Sequence, residues 1–256
     1  MWRILRTRLA MGRRTIDLPA DDSDLPQRFR GRPAIDAARC VDGCRACADA
    51  CPTGAILTDP PRIDLGACVF CPLCTEACPE GAIGYRREYR MATRRREHLV
   101  IGETEIELAA ALDESSRRIF GRSLKLRQVS AGGCNGCESE LAALGNVVFD
   151  LGRFGIQFVA SPRHADGLVI TGPITRNMEL ALRKTYDAVP APKLVIAIGA
   201  CAISGGPFRG SPQANDGTLP AGIAVDLYVP GCPPHPLTIL DGLLRLLGRV
   251  EAGARR

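Results

Sequence analysis

The second half of the chain alternates short apolar runs with longer amphipathic stretches. Four runs rich in β-branched residues predict buried strands at about residues 156–160, 168–171, 194–198 and 225–229. Helices are predicted from about Asn177 and, with apolar periodicity, from about Leu237. Such an alternation is typical of an α/β fold, in which helices cover a parallel sheet.

The first half follows another pattern, an internal repeat of crowded cysteines. CVDGCRACADACPTGAI begins at Cys40 and CVFCPLCTEACPEGAI at Cys68, and both end in Cys-Pro-x-Gly-Ala-Ile. The second repeat has the bacterial ferredoxin run C-x2-C-x2-C-x3-C-P, whereas the first has three residues between its first two cysteines. In that pattern, three thiolates of one repeat and the last thiolate of the other bind one 4Fe-4S cluster. The quartets expected on it are Cys40, Cys44, Cys47 and Cys78, and Cys68, Cys71, Cys74 and Cys51.

Zinc is the alternative metal for these eight cysteines. Zinc ribbons and fingers usually space their ligands as two separated pairs, often with histidine. Here the ligands come as quartets that end in Cys-Pro. The spacing therefore favours iron-sulfur clusters, and the resemblance to two-cluster bacterial ferredoxins covers about residues 34–90.

Four cysteines lie outside the repeat. Cys134 and Cys137 occur in GCNGCE, which alone suits a redox dithiol, half a zinc site or half an iron-sulfur site. Cys201 and Cys232 each follow a predicted strand through a Gly-Cys turn, in IGACAISGG and VDLYVPGCPP. Because ligands of parallel sheets collect at the carboxyl ends of the strands, these turns can supply one further four-thiolate site.

In chain order, GCNGCE, SPRHADGLVITGPITRNM, IGACAISGG and VDLYVPGCPP resemble the small subunit of membrane-associated NiFe hydrogenases of the formate hydrogenlyase type, over about residues 120–249. They also resemble the related cluster-bearing subunit of respiratory complex I. The resemblance implies a flavodoxin-like fold and one 4Fe-4S cluster that faces a large subunit. Its implied ligands are Cys134, Cys137, Cys201 and Cys232. The complex I subunit has adjacent cysteines in the first motif, so the Asn135-Gly136 spacer favours the hydrogenase type.

The N-terminal part also resembles the two-cluster ferredoxin subunit of the same enzymes, including its basic opening and RFRGRPAID before the first cysteine. Two normally separate proteins are thus joined in one chain. The expected organisation is a basic N-terminal arm over residues 1–33, a ferredoxin domain over 34–96, a connecting segment over 97–122 that is helical around 109–119, and a small-subunit-like domain over 123–256.

The number of cysteines limits the function. The three quartets use all twelve, so no thiol is left to bind nickel, act as a nucleophile or form a redox disulfide. No dinucleotide fingerprint or phosphate-binding loop is present. We therefore expect a subunit that transfers electrons through three 4Fe-4S clusters, with no catalytic residue and no small-molecule substrate on this chain.

The partners follow from the resemblance. It implies membrane subunits and a large catalytic subunit that carries nickel and iron in hydrogenases. The alternative is a complex I-like oxidoreductase, whose 49 kDa-like large subunit helps to form the quinone site. An alternative of another class is a soluble ferredoxin-like carrier. A third, partner-facing cluster argues against that carrier.

The formal net charge of +5 comes with arginine-rich stretches at residues 3–14 and 86–96. Nucleic-acid binding is disfavoured, because aromatic residues make up 5% of the chain and no nucleic-acid motif is present. Trp2, Leu5 and Leu9 have helical spacing beside the first arginines. This apolar stripe suits an anionic membrane or a membrane-embedded partner, and a disordered basic tail is the alternative.

No export signal is recognisable, since no apolar segment follows the basic start and Asp17, Asp21 and Asp22 follow Arg13-Arg14. No apolar run reaches the roughly 20 residues that span a bilayer. The expected location is cytoplasmic and peripheral, on the inner face of the membrane within a complex.

Three polar residues are weaker candidates near the third quartet. Glu138 follows a cysteine and is expected either to relay protons or tune the cluster, or to be a solvated or helix-capping acid. Arg163 and His164 lie in the SPRHAD segment, which the family places near its cluster. A lone histidine such as His164 or His235 is more often a satisfied structural residue.

Overall fold

The computed structural model describes residues 2–18, 20, 25–102, 105–217 and 219–250. Parts of the expected N-terminal arm, including Asp21 and Asp22, and the last six residues of the expected C-terminal domain lie outside these ranges. Among the described residues, no helix is both long and apolar enough to cross a bilayer.

The N-terminal half contains two small antiparallel sheets and three short helices. The helices are α1 (Trp2–Met11), α2 (Ala46–Asp49) and α3 (Leu73–Ala77). The strands are β1 (Arg32–Ile35), β2 (Ile56–Thr58), β3 (Pro61–Asp64), β4 (Ile83–Arg86) and β5 (Val100–Ile101). Strand β1 pairs with β4, and β3 lies between β2 and β5.

The expected connecting segment is only partly helical. Its first residues form a 3-10 turn (Arg96–Leu99) and β5, which extends the ferredoxin sheet through β3. Helix α4 (Glu114–Phe120) begins five residues later than residue 109, where the helical region was expected to start. Asp113 explains this start, because its side chain accepts a hydrogen bond from the amide of Ser116 at 3.0 Å and caps the helix.

A parallel sheet of five strands organises the C-terminal half. Its strands are β6 (Leu124–Ser130), β7 (Ile156–Phe158), β8 (Gly167–Thr171), β9 (Leu194–Ile198) and β10 (Leu227–Val229), in the order β10-β9-β8-β6-β7. The helices are α5 (Gly136–Ala143), α6 (Arg176–Ala188), α7 (Ala200–Ser204) and α8 (Pro236–Leu246). This topology confirms the predicted α/β, flavodoxin-like class.

Helices cover both faces of this sheet. Apolar side chains of α5 and α8 pack on one face, and α6 packs on the other through Leu182. All residues of β8 and β9 are buried, which explains why these strands read as continuous apolar runs. Strand β6 was missed because LKLRQVS has no such run, although Leu124 and Leu126 are fully buried.

The two halves share a core. Leu65 and Leu99 of the N-terminal half belong to the same buried cluster as Ala197, Ala202 and Ile203 of the C-terminal half. Two hydrogen bonds between backbone atoms of Thr93 and Tyr228, of 3.0 and 2.8 Å, add an antiparallel bridge. Apolar burial and backbone pairing therefore hold the halves together.

The expected N-terminal arm has two structurally different parts. Helix α1 is exposed along its whole length. The chain then returns to the surface of the protein, where the amide of Ile16 donates to the carbonyl of Val148 at 2.9 Å. Leu25 is buried with Tyr89 and Leu237, and so packs against both halves. Of the described residues of the arm, those of α1 project from the protein, whereas those around Ile16 and Leu25 pack on it.

The second arginine-rich stretch forms internal contacts. Arg87 donates to the carbonyl oxygens of Leu25 and Pro26, at 3.1 and 3.2 Å. Arg96 binds both carboxylate oxygens of Asp64, at 2.8 and 2.6 Å. These arginines stabilise the fold, since their guanidinium groups are engaged by carbonyl and carboxylate groups of the same chain.

Candidate iron-sulfur sites

The first group of thiols combines both repeats. Burial raises the pKa of Cys40, and the charges of Cys78, Asp36 and Cys44 raise it further. Burial likewise raises the pKa of Cys47, and among the nearby charges are those of Cys78 and Cys44. The last cysteine of the second repeat thus lies beside the first three of the first repeat.

The second group has the reciprocal composition. Burial raises the pKa of Cys68 to about 12, and the charges of Cys74, Cys51 and Cys71 also raise it. Cys74 is buried, and its pKa is raised by burial and by the charges of Cys71 and Cys51. Each repeat contributes one short helix, α2 or α3, and these two helices pack against each other.

Backbone amides point at sulfur atoms in equivalent places of both repeats. The amide of Ala55 donates to Cys51 Sγ at 3.3 Å, and that of Ala82 donates to Cys78 Sγ at 3.2 Å. Both bonds close the turn Cys-Pro-x-Gly-Ala, whose glycines have φ of 62° and 57°, a left-handed conformation that glycine adopts at low cost. Hydrogen bonds of this kind favour the thiolate, which is the form that binds iron.

The third group lies at the carboxyl edge of the parallel sheet. Cys134 follows β6, Cys201 follows β9 and Cys232 follows β10, while Cys137 begins α5. Burial raises the pKa of Cys137 to about 12, and the charges of Glu138, Cys201, Cys232 and Cys134 add to the effect. Two turns, which carry Cys134 and Cys232, and the starts of two helices, α5 and α7, therefore bring the four remaining thiols together.

A glycine makes room for one of these sulfur atoms. A Cβ on Gly199 would lie 2.5 Å from Cys137 Sγ, and the φ of Gly199 is +89°. Any side chain at this position would displace the sulfur and strain the backbone. The exposure of Cys134 and Cys232 places this group at the protein surface.

The second and third groups are neighbours across the junction of the halves. The pKa of Cys232 is raised by burial, by Cys134 and also by the charge of Cys71. All three groups offer only cysteine sulfur, which loses its proton when it binds iron and is the ligand that iron-sulfur clusters require. Among the described residues, no three potential ligands are close enough together to hold a single metal ion.

Two family models match the chain. Residues 39–82 match the 4Fe-4S dicluster domain, and residues 134–246 match the 20 kDa subunit of NADH ubiquinone oxidoreductase. The probable membrane-bound hydrogenase subunit mbhJ of Pyrococcus furiosus is 44% identical over 52% of this chain and 79% of its own length. The chain belongs to the NADH ubiquinone oxidoreductase 20 kDa subunit family.

Relatives from two different kinds of enzyme are similar to this chain. Formate hydrogenlyase subunit 7 of Escherichia coli is 42% identical over 57% of this chain, and the match spans 56% of that relative. An NADH-quinone oxidoreductase subunit of Heliobacterium modesticaldum is 43% identical over 46% of this chain and 68% of its own length. Identity to these relatives therefore does not separate the hydrogenase type from the complex I type.

Glu138 is held beside the third quartet. Its Oε1 accepts hydrogen bonds from Ser130 Oγ at 2.6 Å and Thr171 Oγ1 at 2.7 Å. Partial burial favours a higher pKa, but the two hydrogen bonds outweigh it and lower the pKa. Glu138 is thus a carboxylate held in a fixed position at the sheet edge. The N-terminal cap residue of α5 is Asn135, not Glu138. A role of Glu138 in proton relay or in tuning the cluster stays a prediction.

Arg163 and His164 do not lie beside the third quartet. They occupy an exposed 3-10 turn and line a shallow depression with Lys125 and Asp166. Lys125 starts β6 and Asp166 precedes β8, so this depression is at the amino ends of the strands, whereas Cys134 follows a carboxyl end. The SPRHAD segment leads into β8, and the expectation drawn from the resemblance is corrected accordingly.

His235 has a structural role in this family member. Its Nδ1 accepts a hydrogen bond from the amide of Leu237 at 3.2 Å and so caps α8. The ring packs edge-on against Phe29 and Phe149, with centroid distances of 5.2 and 6.0 Å. Burial lowers the pKa of His235, so the neutral form that accepts this bond is favoured.

Two residues beside the second quartet were missed from the sequence. Tyr85 donates its hydroxyl to the carbonyl oxygen of Cys71 at 2.6 Å, and Arg30 donates to the carbonyl oxygen of Phe70. The Arg30 guanidinium also lies 5.7 Å from the centroid of the Tyr85 ring. Tyr85 is 14 residues from Cys71, and Arg30, which lies in the RFRGRPAID segment, is 40 residues from Phe70, so the cysteine spacing does not point to either residue.

Proposed function

We propose that this chain is the electron-transfer subunit of a membrane-associated NiFe hydrogenase related to formate hydrogenlyase. It passes electrons through three 4Fe-4S clusters to or from a large catalytic subunit. The observation that carries the proposal is that the cysteines form three groups, with the charge of Cys71 in the second group acting on Cys232 in the third. Each cluster, when bound, accepts and donates one electron at a time.

The protein's own groups hold and tune these clusters. The first cluster takes Cys40, Cys44, Cys47 and Cys78, the second takes Cys51, Cys68, Cys71 and Cys74, and the third takes Cys134, Cys137, Cys201 and Cys232. Helix α2 carries Cys47 of the first cluster and α3 carries Cys74 of the second, and the two helices pack against each other. The amides that donate to Cys51, Cys68 and Cys78 stabilise negative charge on sulfur.

The large subunit covers the carboxyl edge of the parallel sheet. Support for this placement comes from the exposure of Cys134 and Cys232. An exposed cluster there would react with oxygen and would lack an electron partner. Electron tunnelling falls off steeply with distance, so the partner must contact this edge closely.

The Asn135-Gly136 spacer supports the hydrogenase type over the complex I type. The second candidate function is delivery of electrons to quinone, which the similarity to the NADH-quinone oxidoreductase subunit of Heliobacterium modesticaldum favours. A large subunit from the same source with two Cys-x-x-Cys pairs for nickel would support the hydrogenase, and one without them would support the alternative.

In this proposal helix α1 attaches the complex to the membrane, and the expected side is the inner face. Its side chains are exposed and combine the apolar Trp2, Leu5 and Leu9 with Arg3, Arg6 and Arg8. Apolar and basic groups on one exposed helix suit an anionic membrane surface or a membrane subunit.

Metal analysis tests the proposal directly. Anaerobically reconstituted protein is expected to contain about twelve irons and about twelve acid-labile sulfides per chain, three four-iron clusters. Zinc in place of iron under the same conditions would contradict it. A content of about eight irons, with the sheet intact, would limit the chain to the carrier-like ferredoxin function.

A further inference from the structure

The turn that leads into the second quartet has space for no side chain at Gly66. A Cβ on Gly66 would lie 2.8 Å from Ile203 Cγ2 and 2.8 Å from Arg96 Cζ. Carbon atoms in contact are about 3.5–4.0 Å apart, so both neighbours would have to move. Gly66 does not have a positive φ. The constraint at this position is therefore one of space between the two halves of the chain.

Both neighbours of Gly66 are held in place. Arg96 is fixed by two hydrogen bonds to Asp64, of 2.8 and 2.6 Å, and Asp64 also accepts from the amide of Gly66 at 2.9 Å. Ile203 lies in α7 and is buried in the core that both halves share with Leu65. A methyl group on residue 66 would thus push the halves apart or break the Arg96–Asp64 pair.

A buried hydrogen bond continues this contact toward the third quartet. Ser204 Oγ donates to the carbonyl oxygen of Gly66 at 3.0 Å, and Ser204 is buried. Gly66 is two residues from Cys68, and Ser204 is three residues from Cys201 in α7. One hydrogen bond therefore joins the segment that carries a ligand of the second quartet to the helix that carries a ligand of the third.

We propose that Gly66 is a positioning residue that sets the separation between the second and third clusters. The proposal rests on the proposed function, since it requires both clusters. Without a side chain, residue 66 lets the turn before Cys68 pack directly on α7. This contact would keep the segment that holds the second cluster close to the helix that holds a ligand of the third, so that one electron could pass from the reduced cluster to the oxidised one.

Gly66→Ala tests the proposal in the full chain with its clusters reconstituted. Gly84→Ala is the matched control, because Gly84 lies in β4 of the same half and has no atom within 4 Å of its Cβ position. Iron content is measured first, and then the magnetic interaction between reduced clusters by electron paramagnetic resonance. That interaction falls with the cube of the distance, so it reports separation independently of activity.

We expect Gly66→Ala to keep its iron content and the signals of all three clusters. The splitting of those signals that comes from the magnetic interaction between the second and third clusters should be lost. The rate at which the third cluster is reduced through the ferredoxin half should fall as well. Gly84→Ala should match the wild type in both measurements. Adding Ile203→Ala to Gly66→Ala removes Cγ2 and should restore part of the splitting.

Two results would overturn the proposal. One is unchanged splitting and an unchanged rate in Gly66→Ala. The other is loss of the second cluster in Gly66→Ala that Ile203→Ala does not restore, because Gly66 would then serve folding rather than positioning. Failure of the proposed function is distinct from both, since it would appear as a missing second or third cluster in the wild type.

Discussion

The N-terminal quartets come from two short repeats, whereas the third quartet comes from turns and helix starts spread over residues 134–232. In the loops, the amides of Ala55, Phe70 and Ala82 donate to sulfur atoms a few residues away. At the sheet edge, thiols are brought together because parallel strands end on the same side. The ferredoxin loops thus carry much of their own geometry, while the third quartet depends on the whole sheet.

The two regions also differ in exposure. Cys74 of the second quartet is buried, but Cys134 and Cys232 of the third are exposed. A cluster bound by the second quartet would be shielded on the side of Cys74 by its own chain. A cluster at the sheet edge needs a partner to cover it, which suits a site of electron exchange between subunits.

Removing a ligand from the sheet edge should have the largest effect. We expect Cys232→Ser to abolish hydrogen-linked or quinone-linked electron transfer in the assembled complex, because the third cluster loses one of its thiolate ligands. The ferredoxin-type signals should remain in electron paramagnetic resonance spectra. If the Cys232→Ser protein were fully active as an air-stable monomer, the chain would be a soluble electron carrier instead.

Exchange of ligands between the repeats can be tested within the ferredoxin half. Cys78→Ser should damage the cluster of Cys40, Cys44 and Cys47, while Cys51→Ser should damage the one of Cys68, Cys71 and Cys74. Iron content should fall by up to about four per chain in each variant. Each variant serves as the control for the other, and the third cluster should survive in both. Loss of the third cluster in either, with the fold intact, would show that the quartets are divided wrongly.

Dependence on the sheet can be tested by a core substitution. Ile170 in β8 is fully buried in a cluster formed by the C-terminal half alone. Ile170→Ala should cost about 2–5 kcal/mol of stability, and the third cluster should be lost on heating before the other two. Leu180→Ala in α6 is the control, because Leu180 is 63% exposed. Simultaneous loss of all three clusters would mean that the halves unfold as one unit.

The smallest effect on the protein itself is expected from the N-terminal helix. Deleting residues 1–14 should leave all clusters and the melting temperature unchanged, because every side chain of α1 is exposed. The complex should nevertheless leave membranes more readily as salt is raised, since basic groups near an anionic surface are screened by ions. If membranes retained the full-length and shortened proteins equally at all salt concentrations, α1 would have no part in membrane attachment.

Local patterns were sufficient for much of the fold. The apolar runs predicted β8 and β9 because strands buried on both faces need apolar residues at every position. Strand β6 was not predicted because Lys125, which is exposed at the amino edge of the sheet, interrupts its apolar residues. The start of α4 was misplaced because the cap at Asp113 outweighed the apolar spacing before it.

Long-range contacts explain the other differences. Arg163 and His164 were expected near the third quartet, yet they precede β8, and a parallel strand carries its two ends to opposite edges of the sheet. Two arginines of the second arginine-rich stretch bind groups from distant segments, since Arg87 donates to the carbonyl oxygen of Leu25 and Arg96 to the carboxylate of Asp64. Such partners are invisible in local sequence because folding brings them together.

The sequence by itself determined the thiol chemistry and its division into repeats, because metal-ligand spacing within a loop is a local property. It also determined the parallel sheet through the alternation of apolar runs and helices. Only the tertiary structure decided that Cys71 lies near Cys232 and that Gly66 packs on α7. Those contacts join segments more than a hundred residues apart, and they exist because the two halves bury apolar surface against each other.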